Sequence, residues 1–304
     1  MLEELEDEAW VGDLGQVDLG LAVAPALFEF IIGYYTYQAV IDVYLPHLEV
    51  VSNYGDRQVA PFFGQVMMKL SPERYCTNCF KQIAAEDSLC EPCLRELELE
   101  FLRCVKEGPG FGKGFCDLRN PECGSEACAA YCARDHVVYL ALFGDGRVKV
   151  GMSRADRWFL RLLEQGASYA MVFQGAEGRR NLVETYTVEQ RISEEFGIVD
   201  AVVFEEKLNI FKEPSANLKD QITKLRAYNR IFKAYYQLQA KWLMDFRPLH
   251  FPIPVESWAE KDKLELNGEL VGFRGSVGYL KEDGAVVAFD LNKLKGHKLE
   301  NVTG

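Results

Sequence analysis

The run from His136 to Gly197 constrains the fold most, because its hydrophobic period changes in step with its turn residues. His136-Val137-Val138-Tyr139-Leu140-Ala141-Leu142 is apolar and β-rich, and Gly144-Asp145-Gly146 carries an Asp-Gly hairpin signal. Arg147-Val148-Lys149-Val150-Gly151 is therefore expected to pair back on the first strand. From Ala155 to Gln165 the period turns helical, with Trp158, Phe159, Leu162 and Leu163 on one face, and Gly166 stops it. A strand from Tyr169 to Phe173 and a second helix from Leu182 to Phe196, with Gly197 as its C′ residue, complete a β-β-α-β-α module. The fold class is α+β.

On the second helix Leu182, Tyr186, Glu189, Ile192 and Phe196 form one stripe, so a carboxylate sits in the middle of a face that should be buried. Desolvating a charge costs several kcal/mol unless a partner or a metal compensates. Glu189 is a site candidate on that ground, against the plainer reading of a partner-satisfied carboxylate. Glu184 falls on another face and reads as a solvated surface charge.

These residues resemble the GIY-YIG nuclease superfamily. The resemblance is closest to an uncharacterised cysteine-rich prokaryotic group, through Val138-Tyr139-Leu140-Ala141, Lys149-Val150-Gly151-Met152-Ser153-Arg154, Arg161-Leu162 and Gln165-Gly166-Ala167. It implies that Tyr139 is the first-motif tyrosine, Arg161 the phosphate-binding arginine and Glu189 the metal-holding glutamate. Lys149 occupies the second-motif position.

The chemistry fits those residue types independently. Phosphodiester hydrolysis needs a nucleophilic water and charge stabilisation on the phosphoryl oxygens. A tyrosine near cations could act as base, Arg161 can fork onto phosphate oxygens, and one carboxylate can hold Mg²⁺ or Mn²⁺. Arg154, Arg157 and Ser153 complete a candidate substrate-binding set, since arginines near a Gly-containing turn suit phosphate.

Cys76-x2-Cys79, ten residues, then Cys90-x2-Cys93 is a two-knuckle pattern that can aim four thiolates at one tetrahedral ion. Cys116, Cys123, Cys128 and Cys132 form a second quartet with gaps of six, four and three residues, leaving Cys104 over. Its irregular spacing leaves zinc open, and the resembled group has a comparable run that includes Pro121-Glu122-Cys123. The expected cofactors are one or two structural zinc ions, with iron–sulfur clusters or disulfides as the competing readings. His136, four residues after Cys132, could replace a ligand or simply open the strand.

Around this centre the 304 residues divide into five segments: 1–70 β-rich, 71–135 cysteine-rich, 136–213 the module, 214–247 basic and helical, and 248–304 β-rich. The net charge of −12 excludes wholesale coating of nucleic acid, so any such contact must be local. Residues 1–13 carry six acidic and no basic side chains, and read as a solvated arm. In 216–247 the balance is +5, with Tyr228, Tyr236 and Trp242 among the charges, a combination that can track phosphates and stack bases or merely pack inward. The helix there is expected to reach about residue 246, and Val199 to Phe204 reads as a strand. The Leu270-Val271-Gly272-Phe273-Arg274-Gly275 piece also resembles the tail of the same group. The tail and the N-terminal strands are expected to meet in one barrel or sandwich, since neither has strands enough for a core. No segment reads as a signal peptide or membrane span, so the expected compartment is the cytoplasm. The expected function is a zinc-stabilised, divalent-metal-dependent phosphodiester hydrolase acting on DNA or RNA. The alternative is a non-catalytic module binding nucleic acid or a ribonucleoprotein on the same scaffold.

Overall fold

The computed structural model describes residues 30–40, 43–52, 54, 56–83, 89–96, 116–117, 120–121, 126–175, 182–212, 218–250, 258–260 and 264–301. The acidic arm lies outside these. Strands β1 (Phe30–Val40), β2 (Val43–Ser52), β3 (Arg57–Pro61), β4 (Gly64–Tyr75) and β5 (Gln82–Ile83) precede helix α1 (Glu91–Glu96). The short pair β6 (Cys116–Asp117) and β7 (Asn120–Pro121) leads to α2 (Glu126–Cys132). The module follows as β8 (His136–Leu142), β9 (Val148–Arg154), α3 (Trp158–Gln165), β10 (Tyr169–Gly175) and α4 (Leu182–Phe196). Helices α5 (Phe204–Lys212) and α6 (Leu218–Tyr236) and strand β11 (Leu238–Asp245) come next. The chain then runs through β12 (Trp258–Glu260), β13 (Glu265–Arg274), β14 (Val277–Glu282), β15 (Ala285–Asp290) and β16 (His297–Asn301).

The N-terminal and C-terminal strands do meet, in one ten-stranded sheet of order β12-β15-β14-β13-β4-β16-β1-β2-β3 with β5 on β4. Its pairs are antiparallel except β12 with β15. The period-2 rule is visible in β4, where Val66, Met68 and Leu70 are buried and Gln65, Met67 and Lys69 are exposed.

The second sheet, β11-β10-β8-β9, is antiparallel throughout and covered on both faces. From β8, Val137, Tyr139 and Ala141 enter the core shared with the large sheet, α3 and α5. Val138, Leu140 and Leu142 enter a second core with Ile192 of α4 and Leu225 and Phe232 of α6. All seven residues of β8 are buried, which explains its unbroken apolar sequence. The hairpin closes as expected: Gly146 takes φ +83°, its N–H donates to Phe143 O, and Asp145 Oδ1 accepts from Arg147 N–H.

Two expectations for the connecting segments are corrected. Val199 makes only a single parallel bridge to Lys149, and Phe204 already begins α5. A Glu206 carboxylate oxygen accepts from Val203 N–H at that helix start, while Leu208 and Phe211 set a helical buried period. The basic helix ends at Tyr236, because Gln237 adopts φ +53° and the strand that follows pairs with β10 instead. No helix of the described residues is long and apolar enough to cross a membrane.

Two motifs noted in the sequence prove to be halves of one joint. Gly166, the left-handed cap of α3, lies against Gly275: a Cβ on Gly275 would come within 2.7 Å of the Gly166 nitrogen. Arg274 donates from Nε to Gly166 O at 3.1 Å, bonds Ser168, and sits 4.7 Å over the Phe211 ring. The His250 ring bonds Ala167 O at 2.7 Å, and burial keeps it neutral by lowering its pKa to about 3. The Gln165-Gly166-Ala167 turn therefore docks the C-terminal sheet onto the module.

Candidate functional site

Tyr139 and Gly151 are register partners across β8 and β9. The tyrosine ring fills the place of a side chain at 151, where any Cβ would collide with its hydroxyl, so the glycine after Lys149-Val150 is required for space. Tyr139 is only 1% exposed, and burial raises its phenol to about 12. The Arg161 guanidinium opposes that shift by charge and a side-chain hydrogen bond, while Glu189 reinforces it.

Glu189 is buried on α4, as its place in the stripe required. Burial lifts its carboxyl from an ordinary 4.5 to about 7. Lys149 and Arg161 pull the other way, Asp200 adds to the rise, and the Met152 backbone N–H donates to the carboxylate. Lys149, the second-motif residue, is buried at 7% exposure. Burial lowers its amine to about 8, helped by the Arg161 and Lys207 charges and opposed by Glu189 and Asp200. Neither Glu189 nor Lys149 makes a direct ion pair among the described residues. Tyr139, Lys149, Arg161 and Glu189 thus act on one another at a single place, drawn from β8, β9, α3 and α4.

The other proposed substrate contacts are otherwise engaged. Arg157 forks onto the buried Glu164 at 2.7 and 3.0 Å, and Arg154 Nε bonds Asp156 at 3.0 Å. Ser153 lies beside Arg154 on β9, half-buried opposite Val137. Arg161, with 43% of its side chain exposed and Glu164 at 3.8 Å, is the arginine that faces the Tyr139 group. On α6, Tyr228 and Tyr236 pack with Phe232 in the core, and Lys224 Nζ bonds Gly146 O at 2.8 Å, bracing the hairpin. Tyr228 and Tyr236 take the inward-packing reading. Trp242 lies on β11.

Sequence reasoning missed Lys207. It is 8% exposed on α5, bonds Ser276 Oγ at 3.0 Å, and is brought to about 8 by burial, with Asp290 opposing and Arg161 adding. The signal was the one that identified Glu189, a charge inside an apolar helical period (Phe204, Leu208, Phe211), hidden because Val199 to Phe204 reads as a strand and no helix is expected after it.

The first cysteine quartet is assembled. The Sγ atoms of Cys76, Cys79, Cys90 and Cys93 lie within 4.8 Å of one another, with Cys79 to Cys90 at 3.6 Å and no disulfide. Zn–S bonds of about 2.3 Å in a tetrahedron put sulfurs ~3.8 Å apart, so the donor set fits a structural zinc. Phe80 at φ +60° and the Phe80 N–H to Cys76 O bond form the first knuckle, and the Asn78 amide donates to Cys93 Sγ. Burial works against the Cys76 thiolate, but the backbone N–H groups of Cys90, Cys79 and Asn78 bring it down to about 6. Cys93 is helped by Asn78 yet pushed up to about 12 by burial and the three other thiols, a repulsion a metal would relieve. Of the second quartet and its neighbours, Cys104 and Cys123 and the side chains of Cys116 and Cys128 lie outside the described residues. Cys132 closes α2 and is buried. His136 opens β8 with Nδ1 on Arg134 O at 2.7 Å.

Residues 64–299 match a family described as "Protein of unknown function (DUF2797)", which covers well over half of the chain. The chain belongs to the DUF2797 family. No curated protein and no solved structure matches it. The DUF2797 match runs from the first residue of β4 to the middle of β16, two strands that pair with each other. It takes in the cysteine quartet, the module and the Gly166–Gly275 joint, and leaves out β1, β2 and β3.

Proposed function

We propose that this DUF2797 chain is a divalent-metal-dependent phosphodiester hydrolase of GIY-YIG type, with a zinc-bound ribbon as a structural element. The observation that carries the reading is Glu189, a carboxylate buried near Lys149, Arg161 and Tyr139 with no direct ion pair among the described residues. Structural carboxylates in cores are paired, whereas functional ones are held at a cost in stability. The β8-β9-α3-β10-α4 order agrees with the sequence resemblance. Glu189 would hold Mg²⁺ or Mn²⁺, which supplies charge for the phosphoryl oxygens and lowers the pKa of a bound water. Lys149 keeps a readily exchanged proton, and Arg161 offers a partly exposed fork to a phosphate. Tyr139 orients Arg161 and, with its phenol near 12, stays protonated; it would serve as base only where a nearby cation lowers that value enough to ionise it first.

The burial of Tyr139, the candidate base, favours a second reading, a module that binds nucleic acid without cutting it. Incubating labelled DNA and RNA structures with the full chain in Mg²⁺, Mn²⁺ or EDTA separates the two. The hydrolase reading expects cleavage of at least one structure, abolished by EDTA. Tight binding without cleavage in either ion would select the module.

A further inference from the structure

Two arginines one helical turn apart share a single buried acid. Arg157, the N-cap residue of α3, reaches two turns along the helix, and one of its guanidinium nitrogens donates to both Glu164 oxygens, at 2.7 and 3.0 Å. The Arg161 guanidinium stands 3.8 Å from Glu164 Oε2, close enough to be held by charge and too far for a hydrogen bond. A carboxylate has about four lone-pair sites, so the Arg157 bonds leave Glu164 able to attract a second guanidinium. The pairing thus fixes where Arg161 lies without using its N–H groups. Glu164 is buried while both arginines are partly exposed, so the acid that holds them is shielded from water and salt. Burying a carboxylate is costly even when it is paired, and an apolar side chain beside Leu162 and Leu163 would serve stability as well. Arg161 also faces Tyr139, to whose phenol it hydrogen-bonds, so its guanidinium is directed from two sides.

We propose that Glu164 is a positioning residue which, anchored by Arg157, holds the Arg161 guanidinium aimed at a phosphate. The inference rests on the reading of Arg161 as the phosphate-binding residue of the hydrolase site and adds the part that aims it. A long, half-exposed side chain loses rotamer freedom when it grips a ligand, and one already held in place loses less. Glu164 touches no phosphate, since a carboxylate repels one, and Arg157 acts through Glu164.

The test is calorimetric titration of the full-length chain with inorganic phosphate, as wild type, Arg161→Ala, Glu164→Gln and the double variant. Arg161→Ala should weaken phosphate binding about ten-fold or more, the loss of one charge-assisted contact. Glu164→Gln removes a negative charge from the neighbourhood of Arg161, so electrostatics alone would tighten binding. Positioning predicts the opposite, a weakening of about three-fold or more. In the Arg161→Ala background the same change should weaken binding no further, because no guanidinium is left to aim. Wild-type or tighter affinity in Glu164→Gln would overturn the proposal. So would an equal loss in both backgrounds, which would make Glu164 a structural partner of Arg157 only. Wild-type affinity in Arg161→Ala, or a wild type that does not bind phosphate, overturns it as well. Should Glu164→Gln fail to fold, Glu164→Asp takes its place, keeping the charge but withdrawing the carboxylate by one carbon, and unchanged affinity there counts equally against the proposal. Phosphate binding that depends on Glu164 through Arg161, in a chain that cleaves no labelled DNA or RNA, would sink the hydrolase reading and leave this one standing.

Discussion

Glu189 carries a cost of burial that bears on its proposed role. Its carboxyl is raised from 4.5 to about 7, so the folded chain holds a proton that the unfolded chain has released between those values. Stability contributed by this group is therefore greatest below about pH 4.5 and is lost as pH rises through 7. Glu189→Gln removes the ionisation while keeping the shape. In urea unfolding the variant should be more stable than wild type by about 1–2 kcal/mol at pH 8, and nearly equal to it at pH 5. Lys149 limits the gain, because its amine loses a countercharge. A variant less stable than wild type at pH 8 would mean that Glu189 is a structural partner after all.

Among the elements, the joint between the α3 cap and the β13–β14 turn depends on backbone approach. Gly275 at φ +59° meets the Gly166 and Gln165 backbone, whereas Gly284 at φ +81° has nothing within 4 Å of a built Cβ. Gly284→Ala should cost about 1–2 kcal/mol from the left-handed backbone alone. Gly275→Ala adds a clash of roughly 1–3 kcal/mol, so its melting temperature should fall clearly further. Equal losses would show that the joint is loose. The cysteine quartet is a second element with its own check: metal analysis of Cys90→Ser should show one zinc ion fewer than wild type, and iron with visible absorption in the wild type would contradict the zinc assignment. The module's strands, helices and hairpin were legible because periods of 2 and 3.6 alternate there with glycine stops at Gly146, Gly166 and Gly197. The end of α6 was not, since Lys241 and Trp242 continue a helical composition and the break at Gln237 is made by pairing with β10.

At the scale of the whole molecule, four of the five segments of the sequence share their interior, while Cys76, Cys90 and Cys93 of the cysteine-rich segment form a cluster of their own. One core runs from Leu48 and Val66 through Val137 and Leu162 to Phe211, Tyr279 and Leu294. That could not be read in advance, because which strands pair across more than two hundred residues, as β4 does with β16, leaves no local trace. Tyr139, Arg161 and Glu189 were legible through motif and stripe, while the bond from Lys207 to Ser276 required the large sheet to be in place. On the proposed reading these elements assemble a phosphodiester-cleaving site whose metal Glu189 would hold. The direct measurement is turnover and binding of a cleavable labelled substrate by wild type, Glu189→Ala and Arg161→Ala in Mg²⁺ and Mn²⁺. Glu189→Ala should lose turnover while binding stays near wild type, because removing a negative charge does not weaken attraction to phosphate. Arg161→Ala should lose about 1.5–3 kcal/mol of binding and more in turnover. Cleavage that persists at wild-type rate in Glu189→Ala would contradict the account.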